Sequence, residues 1–128
     1  MKIFYSPECL TYEQPGHPES PARVDATANF LREKGFHFNA PRPCSDEDIL
    51  LAHSRELLES VNNGTFFDFD TPVFPGISGI AKLSVGAAVD AAAHCLSNGE
   101  RPFPSCVLPD ITRRETASAG SVISTASP

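Results

Sequence analysis

Three ionisable side chains, His17, Glu19 and Arg23, lie close together just before the first helical segment of the chain. Pro18 and Pro21 are interleaved with them, and each proline fixes its own φ and keeps the preceding residue out of the helical region. This spacing predicts an extended segment that turns into a helix. It explains the backbone but not the choice of imidazole, carboxylate and guanidinium groups, which are therefore candidate functional residues.

A second group of polar side chains is Asp68 and Asp70, in a loop predicted over residues 65–76. Two carboxylates at this spacing can hold a metal ion or orient a substrate. They are as often turn and cap residues, and spacing alone favours the turn. His53, between two predicted helices, and His94, within the longest one, are interpreted as packing or capping groups.

The first elements predicted to position these groups are a short strand over residues 2–6 and a helix over residues 21–34. Residues 7–19 between them are rich in proline and are expected to form a loop. Ser20 is the expected N-cap of the helix, and Gly35 is the residue expected to end it.

Two shorter helices are expected after a second short strand over residues 36–39. Ser45 begins the first of them, and Asp48 stands at the capping-box spacing. Ser54 caps the second, which ends at residues 62–64.

The longest predicted helix covers residues 77–97. Its apolar residues form two opposite faces, with Ile80, Leu83, Ala87 and Ala91 on one and Val85, Val89 and Leu96 on the other. A helix that is apolar on both sides is expected to be buried between neighbours. The order strand, helix, possible strand, two helices, loop and helix indicates the first part of an α/β layered domain.

Composition restricts the classes of partner. The 128 residues carry a net charge of −6, which argues against a nucleic-acid-binding surface. No apolar run approaches the roughly 20 residues that span a bilayer, and the N-terminus lacks the apolar core of a signal peptide, so a cytoplasmic location is expected. The four cysteines are widely spaced without a Cys-x-x-Cys pair, so they are expected to be small buried hydrophobes rather than zinc ligands.

The sequence His-Pro-Glu-x-Pro-x-Arg over residues 17–23, just before a helix, resembles the opening of the histone deacetylase family, which includes bacterial acetylpolyamine and acetoin-utilisation deacetylases. The resemblance continues in order through an acidic helix start and a terminal histidine at residues 46–53. It extends to Asp-Thr-Pro at residues 70–72 and Ser-Val-Gly-Ala at residues 84–87. Together the motifs cover roughly residues 1–103.

The resemblance implies the N-terminal portion of a three-layer arginase/deacetylase-like α/β fold with a mainly parallel sheet. Family members are zinc-dependent amidohydrolases that act on acetylated proteins or small acetyl-amine amides, with zinc activating water and a His-His pair transferring protons. In this family the acid matching Asp70 lies on the rim and orients the substrate. The resemblance places Arg23 near the inner channel and gives His17 a channel or structural role.

The catalytic part of the family pattern is not found. All four histidines precede the expected active site and none is adjacent to another, so the resemblance assigns no catalytic residue and no metal ligand to this chain. Zinc belongs to the parent family, and the chain itself is expected to bind no cofactor.

Residues 104–128 are predicted to be a frame-shifted, disordered tail, whereas residues 1–103 form the deacetylase-like part. If the third base of each codon from Phe103 is joined to the first two bases of the next, permitted codons spell Arg-Pro-Pro-Gly-His-His-Ala, which is the family's catalytic motif. The Gly-His-His core arises from Pro109 to Thr112. The rest of the tail is rich in small and polar residues and can bury little.

These observations indicate a truncated histone deacetylase-like protein without activity of its own. The alternative is a small non-catalytic protein-binding module that uses the loop over residues 68–76 as its contact surface. Neither interpretation includes nucleic acid or a membrane as a partner.

Overall fold

The computed structural model of the protein describes residues 1–12, 20–67 and 73–106. Within these ranges the chain forms three strands, one 3₁₀ helix and four α-helices. The strands and α-helices are β1 (Ile3–Phe4), α1 (Pro21–Glu33), β2 (Phe38–Asn39), α2 (Asp46–Leu50), α3 (Arg55–Asn62), α4 (Ile77–Asn98) and β3 (Phe103–Pro104).

A parallel sheet in the order β2-β1-β3 lies at the centre of the described structure. Ile3 is opposite Phe38 on one side and Phe103 on the other, and both pairings are parallel. Parallel neighbours need long crossover connections, which α1 supplies between β1 and β2 and the α2–α4 segment supplies before β3. The predicted mainly parallel sheet is confirmed.

One helix covers each face of this sheet, because successive residues of a strand point to opposite faces. Phe4 is buried against Ala87 and Ala91 of α4. Tyr5, next in the chain, is buried against Val24 and Ala28 of α1. The predicted layered α/β arrangement is therefore correct, with helix, sheet and helix stacked around β1.

The start of α1 differs from the prediction in one respect. Pro21 occupies the first turn and Ser20 has the extended backbone of an N-cap, but the Ser20 side chain makes no capping hydrogen bond. The turn is closed instead by the backbone, since the Arg23 N–H donates to the Ser20 carbonyl over 3.1 Å. Gly35 follows the helix with a φ of +80°, the left-handed conformation that glycine adopts without strain.

The caps of the two short helices agree with the prediction. The Ser45 hydroxyl accepts from the Asp48 N–H over 3.1 Å, and the Asp48 carboxylate accepts from the Ser45 N–H over 3.0 Å, which completes a capping box. The Ser54 hydroxyl accepts from the Leu57 N–H at the start of α3.

The predicted loop over residues 7–19 contains a helical turn that the sequence pattern did not predict. Residues Pro7–Thr11 form a 3₁₀ helix. Two local side-chain hydrogen bonds stabilise it: the Ser6 hydroxyl accepts from the Glu8 N–H over 3.3 Å, and the Thr11 hydroxyl donates to the Glu8 carbonyl over 2.7 Å.

Only one face of α4 is buried as predicted, the one that carries Leu83 and Ala87. The expectation for the opposite face was wrong, since Val89 is 46% and Leu96 88% exposed. The reason is that the described residues supply one sheet face for α4 and no second layer outside it. By length and composition α4 could also cross a membrane, a test that core helices of soluble proteins pass as well.

The third strand lies where the predicted tail begins. Pro104 is part of β3, and the Ser105 N–H donates to the Phe4 carbonyl over 2.8 Å. The predicted disorder of the remaining tail concerns residues 107–128, which lie outside the described residues.

Candidate functional site

The two loops that carry predicted site residues leave from one hydrophobic cluster. This cluster, called the Tyr12 cluster, consists of buried Tyr12, Ile77 and Ile80 with Val61, Val73 and Phe74 packed against them. The rings of Tyr12 and Phe74 are 5.2 Å apart between centroids. Tyr12 directly precedes residues 13–19 and Val73 directly follows residues 68–72, so one packed unit anchors one end of each loop.

The other ends of the two loops are held by helix termini. The Asp70 loop follows α3, where the Thr65 and Phe66 N–H groups donate to the Ser60 carbonyl over 2.9 and 3.0 Å. The His17 loop ends at Ser20, before α1. His17 and Asp70 themselves lie outside the described residues, so their predicted roles stay predictions.

Arg23 lies on the first turn of α1 and is exposed. Its predicted place beside a channel stays a prediction.

A cleft of about 470 Å³ opens beside the Tyr12 cluster, between the end of α3 and the start of α4. Val61, Val73 and Phe74 supply its apolar wall. The Ser78 hydroxyl donates to the Asn62 side-chain oxygen over 2.5 Å and ties the two helices together at the same place. The cleft therefore lies directly beside the point where the chain leaves the Asp70 loop.

Neither His53 nor His94 lines this cleft. His53 is half-buried at the junction of α2 and α3, and its N–H donates to the Ile49 carbonyl over 3.0 Å. The His94 imidazole packs edge-on against Phe4 and contacts the Glu100 carboxylate over 3.0 Å. That hydrogen bond lowers the pKa of Glu100. Both contacts fit the packing role predicted for His94.

No group of three or more histidine, cysteine or acidic side chains that could hold a metal ion occurs within residues 1–12, 20–67 and 73–106. The described side chains therefore do not fit the zinc centre that the resemblance implies for the parent family.

Two cysteines that the sequence separates by 97 residues meet in the structure. The Cys9 thiol donates to the Cys106 sulfur over 2.7 Å. This hydrogen bond is the main reason why the pKa of Cys106 is lowered to about 7 and that of Cys9 is raised. Spacing gave no signal for this contact, because it depends on β1 and β3 being neighbours.

The other two cysteines lie elsewhere. Cys44 is buried, and burial raises the pKa of its thiol. Cys95, on α4, is exposed, so the expectation that the cysteines are buried hydrophobes was wrong for this residue.

Comparison with known proteins identifies a family. The model of the histone deacetylase domain matches residues 17–111, which is most of the chain. The match includes the segments around Arg23, Asp70 and α4.

Named relatives are similar over a large part of this chain. A probable deacetylase of Archaeoglobus fulgidus is 33% identical over 106 residues, which is 74% of this chain and 30% of that protein. A histone deacetylase-like amidohydrolase of Pseudomonas aeruginosa is 34% identical over 94 residues, 66% of this chain and 24% of the relative. An uncharacterized protein of Synechocystis is 38% identical over 116 residues, 80% of this chain and 38% of the relative. The chain thus spans only about a quarter to two fifths of these proteins.

A solved structure shares the fold. The crystal structure of the HDA15 HD domain superposes with a TM-score of 0.74 at 20% identity, over 83% of this chain and 34% of that domain. At this identity the likeness concerns the fold, and it agrees with the layered α/β arrangement around β1.

Proposed function

Because this chain belongs to the histone deacetylase domain family, we propose that it is the N-terminal part of a zinc-dependent deacetylase and that the 128-residue sequence has no deacetylase activity of its own. Matched relatives are two and a half to four times longer than the region they share with this chain, which supports the idea that the catalytic part lies further along. The parent protein would act on acetylated proteins or small acetylated amines in the cytoplasm.

The observation that carries the proposal is the motif hidden in the tail. The family needs an adjacent pair of histidines for proton transfer, and none of the four histidines of this chain has a histidine neighbour. With permitted synonymous codons, the shifted reading from Phe103 onward can spell Arg-Pro-Pro-Gly-His-His-Ala at the place where the family carries that pair. We infer that a shift of reading frame near Phe103 separates this chain from its catalytic residues.

The structure is compatible with a shift at this point. Phe103 and Pro104 form β3 and pair with β1, so the chain has reached the sheet at the point where the reading diverges. In the restored reading the next residues would continue from the carboxyl end of β3. Ligands of open α/β sheets bind at that end of the strands.

The genomic DNA across these codons tests the frame shift. We expect the Pro109 codon to end in G and the Asp110 and Ile111 codons to end in C, because only these bases produce Gly-His-His in the other frame. Any other base at one of the three positions contradicts the proposal.

Activity tests the second half of the proposal. A gene corrected by one frame step near Phe103 should yield a protein that hydrolyses an acetyl-lysine or acetylpolyamine substrate with zinc, whereas the 128-residue chain should not. The control is the corrected protein with both restored histidines changed to alanine. Hydrolysis by the 128-residue chain after addition of zinc would show that the proposal is wrong.

One observation favours the alternative of a small non-catalytic binding module. The cleft beside the Tyr12 cluster has an apolar wall and adjoins the loop over residues 68–76, the proposed contact surface. Such a module must fold alone, so it predicts a sharp, reversible thermal transition, whereas an incomplete domain predicts a broad transition or aggregation.

A further inference from the structure

The contact between Cys9 and Cys106 has a chemistry that the deacetylase proposal does not use. The Cys9 side chain is fully buried, whereas Cys106 is half-buried and packs against the Phe4, Ala87 and Ala91 cluster. Their sulfur atoms are 2.7 Å apart, and a disulfide bond is about 2.05 Å long. The two sulfurs therefore need to approach by less than 1 Å.

The backbone around both thiols is fixed by the sheet and the 3₁₀ helix. The Cys9 N–H donates to the Ser6 carbonyl over 3.1 Å, and the Ser105 N–H donates to the Phe4 carbonyl over 2.8 Å. Cys9 is thus hydrogen-bonded to the residue Ser6, which follows β1, and Cys106 follows directly after Ser105, which is hydrogen-bonded to β1. The encounter of the two sulfurs does not depend on the motion of a loop between them.

We propose that Cys9 and Cys106 form an oxidant-sensitive dithiol, with Cys106 as the thiol that attacks a hydroperoxide and Cys9 as the thiol that closes the disulfide. The assignment follows from access, since Cys106 is partly open to solvent and Cys9 is not. The described residues offer no third ligand that would make the pair a metal site instead.

The reaction balances with hydrogen peroxide as the oxidant. The Cys106 thiolate attacks one peroxide oxygen, so an S–O bond forms, the O–O bond breaks and hydroxide leaves, which takes up the thiol proton as water. Cys106 is then a sulfenic acid, oxidised by two electrons. The Cys9 sulfur attacks the Cys106 sulfur, the S–S bond forms, the S–O bond breaks, and a second water leaves with the Cys9 proton.

Cys106 is the more easily ionised of the two thiols, as its role as the first attacking thiol requires. Because Cys9 donates its proton to the Cys106 sulfur, the pKa of Cys106 falls to about 7 and the Cys106 thiolate is present at neutral pH. The thiolate is the nucleophilic form of cysteine.

The proposal is independent of the deacetylase assignment, since it concerns only residues of the chain as printed. In the restored reading, Ser-Leu-Val follows Phe103 and leads into Arg-Pro-Pro-Gly-His-His-Ala, so no cysteine stands in the place of Cys106. The dithiol is therefore a property of the 128-residue chain and not of the parent enzyme.

Disulfide mapping of the peroxide-treated full chain tests the proposal. Under native conditions we expect an intact mass lower by about 2 Da, and the main cross-linked peptide pair should join Cys9 to Cys106. A flexible chain would instead favour Cys95–Cys106, whose closing loop is eleven residues rather than 97; loop entropy favours it by about 25-fold. The same treatment in urea should therefore give Cys95–Cys106 as the main product.

Variants separate the pair from other thiols. Cys95→Ser is the matched control and should leave the Cys9–Cys106 product unchanged, whereas Cys9→Ser should let Cys106 proceed to sulfinic acid. Two results under native conditions would overturn the proposal. One is a main product that links Cys95 to Cys106, as in urea, and the other is that both Cys9 and Cys106 remain open to alkylation after peroxide.

Discussion

The hydrogen bond between Cys9 and Cys106 determines how the reactivity of the Cys106 thiol depends on pH. We expect the alkylation rate of Cys106 to rise with pH and reach half its maximum near pH 7, because the thiolate reacts and the pKa of Cys106 is about 7. Cys9→Ser removes the sulfur donor that is the largest cause of this shift, so the midpoint should move up toward the ordinary value of 9.0.

The measurement is iodoacetamide labelling followed by mass spectrometry. Cys44 provides an internal comparison, because its raised pKa predicts slower labelling than Cys106 at neutral pH. Equal rates for Cys44 and Cys106 would contradict the assignment of the low-pKa thiol.

A close backbone approach explains why position 86 must be glycine. A Cβ atom at Gly86 would overlap the Arg42 carbonyl oxygen and lie 2.9 Å from the Cys44 nitrogen. Both are backbone atoms of a segment that is hydrogen-bonded to α4, so they cannot move aside as a flexible side chain could. Gly86→Ala should lower the free energy of unfolding by about 1–3 kcal/mol.

The matched control is Gly79→Ala on the same helix, where nothing lies within 4 Å of the added atom. This change should raise stability by up to about 1 kcal/mol, since alanine favours helices over glycine. Urea unfolding of both variants, made in the frame-corrected protein, gives the comparison, and equal effects of the same sign would disprove the steric explanation.

The role of Asp70 can be tested in the frame-corrected protein. If the Asp70 carboxylate orients the substrate at the rim, Asp70→Asn should lower kcat/KM by about tenfold or more, because misplaced substrates react slowly. Asp68→Asn changes a neighbouring acid of the same loop and should have little effect. Equal losses in the two variants would indicate that the acids are turn residues.

At the scale of elements, side-chain caps decide where the short helices begin. Ser45→Ala removes one half of the capping box at α2 and should destabilise the chain by about 0.5–2 kcal/mol. Ser20→Ala is the matched control at α1, because the Ser20 side chain makes no capping bond, and its effect should be smaller. Thermal unfolding of both variants in the frame-corrected protein checks the order, and a larger effect of Ser20→Ala would contradict it.

Elements with local signals could be predicted from the sequence, and elements that depend on distant partners could not. The capping box of Ser45 and the end of α1 at Gly35 depend on neighbours within a few residues. The 3₁₀ helix at Pro7–Thr11 was not predicted because Pro7, at its start, also fits a loop. β3 was missed because a two-residue strand that contains Pro104 has no recognisable period, and only pairing with β1 defines it.

In the candidate site, too, features with a local sequence signal could be predicted and contacts between distant segments could not. The sequence order of the motifs was sufficient to identify the family, whereas the Tyr12 cluster joins residues from three segments and has no local signature. The pairing of Cys9 with Cys106 was unpredictable for the same reason.

At the scale of the whole molecule, α4 keeps an apolar face that the described residues do not cover. Leu96→Lys should reduce aggregation, because Leu96 is 88% exposed and a charge there costs no packing. Leu83→Lys is the contrast on the same helix, since Leu83 is 5% exposed and a buried lysine should unfold the chain. Light scattering and circular dichroism distinguish the two results. If Leu96→Lys also unfolded the chain, this face would be part of the core.

The position of β1 at the centre of the sheet also fixes the order of events during synthesis. β1 leaves the ribosome first, yet its second neighbour, β3, lies about 100 residues later in the chain. At a translation rate of roughly 5–20 residues per second, the edge of β1 that β3 will occupy waits for about 5–20 seconds. Among the described strands, the one that is synthesised first is thus completed by the one that is synthesised last, and any chaperone that binds open strand edges has that interval in which to act.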